Sequence, residues 1–411
     1  MRIAIHTLGT RGDVQPYLAF ASGLMSRGHE VQLAGPEQFA SFADKMGVAF
    51  APLPGEFLAL LDTPEGKAAV GSGRGFSAGF KLLKFVRPLM QRLLDAEWQA
   101  VRAFASDLII YHPKSVAAPH LAERLGIPAM LASPLPGFTP TSAFPSPILP
   151  FARLGPLNKA SHLLSIRGAD ILFAKIVRQW RENSLGLGKS SARRVPVATI
   201  YAYSPSVLPK PPDWDASVLV PGYWFLDEGA EWEAPKALTD FLARGEKPIY
   251  IGFGSMPAVD PARLGRMVIE GLAKAGRRGI LATGGGALEV NDVPDHVYVI
   301  PAAPHDRLFS FVGAALHHGG AGTTGASLRA GLPTIICPFF GDQPFWGRRI
   351  AALSVGPPPL DRKTLDSTGL ASAFEAAGSP RVQERAGTLA ERIQAENGVA
   401  DAITFVEKMA E

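Results

Sequence analysis

Short apolar runs alternate along the chain with longer segments in which apolar residues recur every three to four positions. "RIAIHT" (2–7) reads as a strand. Val14, Tyr17, Leu18, Ala21, Leu24 and Met25 then share one face of a helix predicted over about Val14–Arg27 and stopped by Gly28. "HEVQLAG", "VAFAPL", "DLIIYH" and "IPAMLAS" read as further strands, with a helix over about Ser115–Leu125 before the last. The second half repeats the scheme in "KPIYIGFGS", a helix over Pro261–Ala275, then "GILATGG", "HVYVIP", "GAALHH" and "PTIICPF". Strands alternating with helices predict an α/β fold with two doubly wound parallel sheets, each covered on both faces. "VPGYWFLDEGAEWEAP" (220–235) is aperiodic and acidic and contains Pro and Gly. It sets the expected plan: a first domain over 1–220, a linker over 221–236, a second domain over 237–395, and a terminal helix over 396–411. That helix either closes the second domain or crosses back to the first. Two such domains place a ligand cleft at the carboxyl ends of their strands, so chemistry is expected in the loops after strands.

Composition narrows the class. With 411 residues, 47% apolar and 19% charged, the chain suits two globular domains and excludes a disordered one. The net charge of +4 is mild and the basic residues are scattered, so no nucleic-acid partner is expected. The lone Cys337 can form neither an internal disulfide nor a cysteine-based zinc site, and reads as a small buried hydrophobe. The N-terminus lacks a signal-peptide pattern, and no apolar stretch approaches the ~20 residues of a membrane span. A soluble, cytoplasmic protein is the expectation.

Two loops carry candidate chemistry. In "GAALHHGGAGTTGASLRAG" (313–331) an apolar strand ends in His317 and His318, a glycine-rich turn follows, and Thr323 and Thr324 open a helix. Free backbone N–H groups and the positive end of a helix dipole meet at such a turn. Glycines admit a phosphate close to the backbone, and threonine hydroxyls add donors. The stretch 320–325 also matches G-x-G-x-x-G, with Asp342 downstream at the spacing of a ribose contact, so a dinucleotide-dependent dehydrogenase stays open on the pattern. The late position of the match and the paired histidines favour a nucleotide diphosphate. In "LGTRGDVQP" (8–16), Gly9, Thr10 and Gly12 precede Asp13 at the expected helix start. A carboxylate there is both a good N-cap and the only acidic group of the loop able to take a proton.

"HHGGAGTTGASLRAGLPTIICPFFGDQPFWG" resembles the donor-binding signature of nucleotide-sugar glycosyltransferases with the GT-B fold, and is most similar to the sterol glucosyltransferase branch; "GTRGDVQPYLAFA" and "VPGYWFLD" resemble the same branch. The resemblance runs from Met1 to about Ile350 and is weakest over 55–105 and 160–195. It implies two Rossmann-like domains facing across a cleft. It also implies an inverting, metal-independent transfer of a hexose, most simply glucose from UDP-glucose, to a hydroxyl of an apolar acceptor such as a sterol, with no cofactor. Asp13 becomes the general base, with His112 beside it where plant members keep an aspartate next to a catalytic histidine. Ser255 in "GFGSM", His318, Gly320, Gly322 and Thr323 would hold the diphosphate, and Ala303 and His305 would border the nucleobase. Asp342 and Gln343 would bind sugar hydroxyls, while Gly9, Thr10 and Gly12 would lie near donor and acceptor. The stacking tryptophan and ribose-binding glutamate of plant members are matched by Ala302 and Ala326, which leaves UDP and dTDP both open. A polyketide or polyphenol acceptor, a nucleotide-sugar epimerase and a non-catalytic nucleotide-sugar binder also stay open.

Two stretches bear on the acceptor. The Pro-rich, apolar segment 128–158 supplies Pro136, Phe138 and Phe144 as candidate pocket residues. In 76–94, Lys81, Lys84, Arg87 and Arg92 interleave with apolar residues. That reads as a packed helix with a solvated basic face, or as a peripheral contact with an anionic membrane. "DWD" (213–215) matches an Asp-x-Asp metal motif in form, but follows two prolines and reads as a solvated turn.

Overall fold

A computed structural model describes residues 1–55, 75–188, 195–229, 232–254, 256 and 260–410, with the backbone alone over 75–87 and at 169. Seven strands form one sheet: β1 (Arg2–His6), β2 (Glu30–Pro36), β3 (Ala49–Leu53), β4 (Leu108–Tyr111), β5 (Ala129–Ser133), β6 (Ala198–Tyr201) and β7 (Val218–Leu219), in the order β3-β2-β1-β4-β5-β6-β7. Five form the other: β8 (Ile249–Gly252), β9 (Gly279–Ala282), β10 (Val297–Ile300), β11 (Ala314–His317) and β12 (Thr334–Ile336), in the order β10-β9-β8-β11-β12. Every pairing is parallel. The chain divides into two compact units: the first ends at Leu226 and regains the chain from Glu396, and the second runs Asp227–Ala395 around the five-stranded sheet.

The period of two explains why the strands read as continuous apolar runs. Ile3, Ile5, Leu108 and Ile110 enter one core layer, while Ala4, Ile109 and Tyr111 enter the other. In the second unit Ile249, Ile251 and Leu281 face one layer, and Tyr250 and Ile280 the other.

The segment expected as a linker is largely packed. Trp224 is buried and stacks on Phe20 with centroids 4.2 Å apart, while Trp232 packs on a core of the second unit. The terminal helix Gly398–Ala410 packs on the first unit, where Val399 and Ile403 fill the space that a side chain at Gly23 would need. Gly222, at φ +129°, lets the backbone approach Gly398, whose Cα would lie 3.1 Å from an added Cβ.

Five elements depart from the expectations. The helix expected to begin near Val14 begins at Arg11, so Asp13 is its third residue and not its cap, and Pro16 lies inside it. Pro16 has no N–H, so the Gly12 carbonyl gains no helical donor there. Strands β6 and β7 and a long helix, Asn158–Trp180, arise where no period was apparent. The helix expected over 76–94 extends over Gly75–Phe104, but the side chains of Lys81, Lys84 and Arg87 lie outside the described residues. Among the described residues no helix is long and apolar enough to cross a membrane.

Candidate functional site

In each sheet the strand order reverses once, between β1 and β4 and between β8 and β11. Connections leave a parallel sheet in opposite directions at such a point, which opens a crevice beyond the carboxyl ends of the two strands. The segments after β1 and β4 carry Asp13, in the first turn of its helix, and His112. Those after β8 and β11 carry Gly254 and His318.

Asp13 reaches back over the start of its own helix. Its Oδ2 accepts from the Thr10 backbone N–H at 2.8 Å, the Thr10 hydroxyl at 3.2 Å and the Lys114 ammonium at 2.8 Å. This is the acidic half of a capping box, made by the third helical residue. Gly9 makes it possible: its φ is +131°, and a Cβ there would lie 2.1 Å from Asp13 Oδ2 and 2.6 Å from Lys114 Nζ. The other oxygen, Oδ1, faces His112 Nε2 at 3.4 Å. Burial raises the Asp13 pKa, but Lys114, His112 and the Thr10 N–H together outweigh it and hold the carboxyl below its ordinary value. His112 is pushed down to about 3, first by desolvation and further by Lys114, against the pull of Asp13. The ring is therefore neutral. Its Nδ1 accepts the Lys114 backbone N–H at 3.1 Å, which places the proton on Nε2, toward Asp13.

The turn bearing His112 and Lys114 is braced from below. Glu97, fully buried on helix Gly75–Phe104, accepts the Ser115 hydroxyl and lies 2.8 Å from His6 Nδ1 at the end of β1. Ser115 in turn donates its backbone N–H to the His112 carbonyl at 2.9 Å.

In the second unit the two histidines differ. His317 Nδ1 accepts the Gly319 N–H at 3.0 Å and its Nε2 lies 3.4 Å from Ser327 Oγ, so it braces the turn. Among the described residues neither the buried His318 Nδ1 nor the buried Thr324 hydroxyl has a hydrogen-bond partner. Desolvation, with His305 adding to it, pushes His318 down to about 4, so this ring is neutral too. Helix Ala321–Arg329 starts after Gly320 without a side-chain cap, Gly322 is exposed and Thr323 is half-buried. The free N–H groups of its first turn are thus available to an anion. Two of the surrounding glycines leave no room for a side chain. A Cβ at Gly320 would lie 2.6 Å from His318 Nε2, and one at Gly285 would lie 1.7 Å from the Gly254 carbonyl oxygen. Ser255 lies outside the described residues.

The remaining candidates fall around this turn and around the Pro-rich loop. His305 stacks on Phe309 at 4.5 Å with its Nε2 3.2 Å from the Tyr250 hydroxyl, and half-buried Ala303 packs on the same core. Asp342 Oδ2 accepts Trp346 Nε1–H at 2.8 Å. Gln343 is buried, and its Oε1 accepts the Phe339 and Phe340 N–H groups at 2.6 and 3.1 Å, so its amide shapes the loop from inside. Pro136 is buried, while Phe138 and Phe144 are half-buried. Phe144 packs against His162 and Trp214 at 5.8 and 6.4 Å.

"DWD" is a solvated turn as expected, with Asp213 and Asp215 both exposed, and Asp213 also has a structural role. Its carboxylate accepts the Thr141 hydroxyl at 2.6 Å and the Ser142 N–H at 2.8 Å, pinning the Pro-rich loop. Among the described residues no group of three or more His, Cys, Asp or Glu could hold a metal ion. The sequence reading missed Lys114, whose pairing with Asp13 spans 101 positions that only the sheet order closes. It also missed Tyr250 and Gly285.

Residues 3–145 match the glycosyltransferase family 28 N-terminal domain, and residues 278–409 match the erythromycin biosynthesis protein CIII-like C-terminal domain. The sterol 3-beta-glucosyltransferase of Aspergillus fumigatus is 39% identical over 99% of this chain, which spans 30% of that protein's length. The sterol 3-beta-glucosyltransferase UGT80B1 of Arabidopsis thaliana is 36% identical over 98% of this chain and 67% of its own. Among solved structures, the glycosyltransferase of kitacinnamycin superposes with a TM-score of 0.75 at 18% identity, covering 100% of this chain and 99% of that one. The glycosyltransferase VinC in complex with dTDP superposes with a TM-score of 0.71 at 17% identity, with the same coverage of 100% and 99%. These likenesses fix the two-sheet architecture as the GT-B glycosyltransferase fold.

Proposed function

The chain belongs to the family of sterol 3-beta-glucosyltransferases, and on that footing we propose that it moves glucose from UDP-glucose, with inversion and without a metal ion, to a hydroxyl of an apolar, sterol-like acceptor. The observation that carries the reading is the division of labour between the Asp13 oxygens. Oδ2 holds three donors and is fixed, whereas among the described residues Oδ1 meets only the neutral His112 ring. An acceptor hydroxyl donating to Oδ1 loses its proton there as its oxygen bonds to the anomeric carbon. The bond from that carbon to the diphosphate breaks, and its electron pair leaves with UDP.

A general base must be ionised at neutral pH, and the depressed Asp13 pKa supports this. The same donors weaken it as a base, so it accepts the proton late, once bonding to the electron-poor anomeric carbon has acidified the hydroxyl. Neutral His112 can donate to Oδ1 without competing for the proton. The His318 Nδ1 and Thr324 hydroxyl, without partners among the described residues, and the open start of helix Ala321–Arg329 support a diphosphate at the glycine-rich turn. Asp342 would take the sugar hydroxyls, with Gln343 holding its loop.

Incubation with UDP-glucose and a panel of sterols and polyphenols, read by mass spectrometry and by the anomeric proton coupling of the product, tests this. A β-linked sterol glucoside is expected. UDP release with no acceptor consumed, or an α-linked product, overturns it.

A further inference from the structure

Seven of the fourteen large hydrophobic side chains exposed among the described residues lie between Ile148 and Leu172 of the first unit. Five sit on or beside helix Asn158–Trp180: Leu157, Leu163, Leu164, Ile171 and Leu172, with Leu164 68% and Ile171 75% exposed. The helix buries Asn158, Ser161, His162, Val177 and Trp180 on its inner side. Leu164 and Ile171, seven residues and about two turns apart, align on the outer side. Lys159, Arg167, Lys175 and Arg178 are exposed on the same helix, against the one carboxylate of Asp170.

A helix facing water ordinarily turns a polar side outward. Here long aliphatic side chains and cations share the outer side, which suits a lipid surface. The aliphatic groups enter the acyl boundary while lysine and arginine reach the phosphates of anionic lipids. A second copy of the chain fits less well, because a two-fold contact through this face brings cations against cations. The Pro-rich loop adjoins this helix, with exposed Ile148 and Phe151 on the loop and with the inner-side His162 ring between the Gly137 and Phe144 carbonyl oxygens, 3.3 Å from the first and 3.0 Å from the second.

We propose that helix Asn158–Trp180 docks the protein on an anionic membrane, lying in the interface beside the loop 134–157. Delivery of a membrane-dissolved acceptor to that loop rests on the acceptor reading above; the docking itself does not.

Flotation of the full chain with vesicles, without donor or acceptor, reads docking independently of catalysis. Wild type is expected to float with phosphatidylcholine vesicles containing about 30% phosphatidylglycerol, and less with phosphatidylcholine alone. Leu164→Gln/Ile171→Gln and Arg167→Glu/Lys175→Glu, each first shown to melt with wild type, are expected to lower the partition coefficient about tenfold or more. The proposal falls if wild type stays unbound, or if either variant floats as well as wild type. It also falls if light scattering shows a wild-type dimer that Leu164→Gln/Ile171→Gln converts to monomer.

Discussion

His112 is the residue whose protonation state most constrains the site, and its stability linkage is large enough to measure. An unfolded histidine binds its proton below a pKa of about 6.5, whereas buried His112 does so only near about 3. Between those values the unfolded chain holds the extra proton, so the native state loses stability as pH falls. At about 1.4 kcal/mol per pH unit, the loss from this group between about pH 7 and about pH 4.5 is about 2.5 kcal/mol. The depressed Asp13 pKa contributes stability that is lost only as pH falls below the ordinary aspartate value of 3.8, outside this window. His112→Gln keeps one acceptor for the Lys114 N–H and one donor for Asp13, but cannot titrate. Urea unfolding of both chains at the two pH values isolates the difference, because all other titrating groups are shared. The variant is expected to lose about 2.5 kcal/mol less than wild type. Equal losses would show that His112 is charged in the fold and forms an ion pair with Asp13, which would refute the neutral-donor assignment.

Other residues give sharper local tests. Gly320→Ala and Gly285→Ala, each clashing with His318 or the Gly254 carbonyl, are expected to abolish UDP binding in calorimetry while the first unit stays folded. Glu97→Ala leaves buried His6 and Ser115 without their shared acceptor, and is expected to cost about 3 kcal/mol in urea unfolding, in the range for breaking a buried pair. Asp213→Ala releases Thr141 and Ser142, so it should raise the KM for acceptor several-fold. It should leave UDP affinity unchanged, and activity should be insensitive to chelators; loss of activity to EDTA would instead give Asp213 a metal.

The fold class was legible because both faces of each parallel sheet are buried, so strands such as Leu108–Tyr111 read as solid apolar runs between helical periods. Helix Asn158–Trp180 was not, and its exposure explains why. With Leu164 and Ile171 outside and Val177 and Trp180 inside, apolar residues surround the helix and no 3.6-residue stripe appears. Strand β7, at two residues, is too short to show a period. At the site, the glycine-rich turn and the Asp13 loop were visible as local motifs. Of the surroundings of Asp13, His112 was named through the resemblance, but Lys114 was not, since it reaches Asp13 only through the β1–β4 pairing. Neither was Glu97, which braces the same turn from the long helix below through His6 and Ser115. Sequence also could not separate the two histidines: adjacent in the chain, His317 points into the turn's own hydrogen bonds, whereas the buried His318 Nδ1 has no partner among the described residues.

The central claim is that the Asp13 carboxylate takes the acceptor's proton, and Asp13→Asn tests it most directly, because the amide keeps the size and an oxygen for the Thr10 N–H. Single-turnover transfer from UDP-glucose to a sterol should fall about 10²–10⁴-fold, with UDP affinity little changed. Near-normal transfer by the Asn variant would contradict the account.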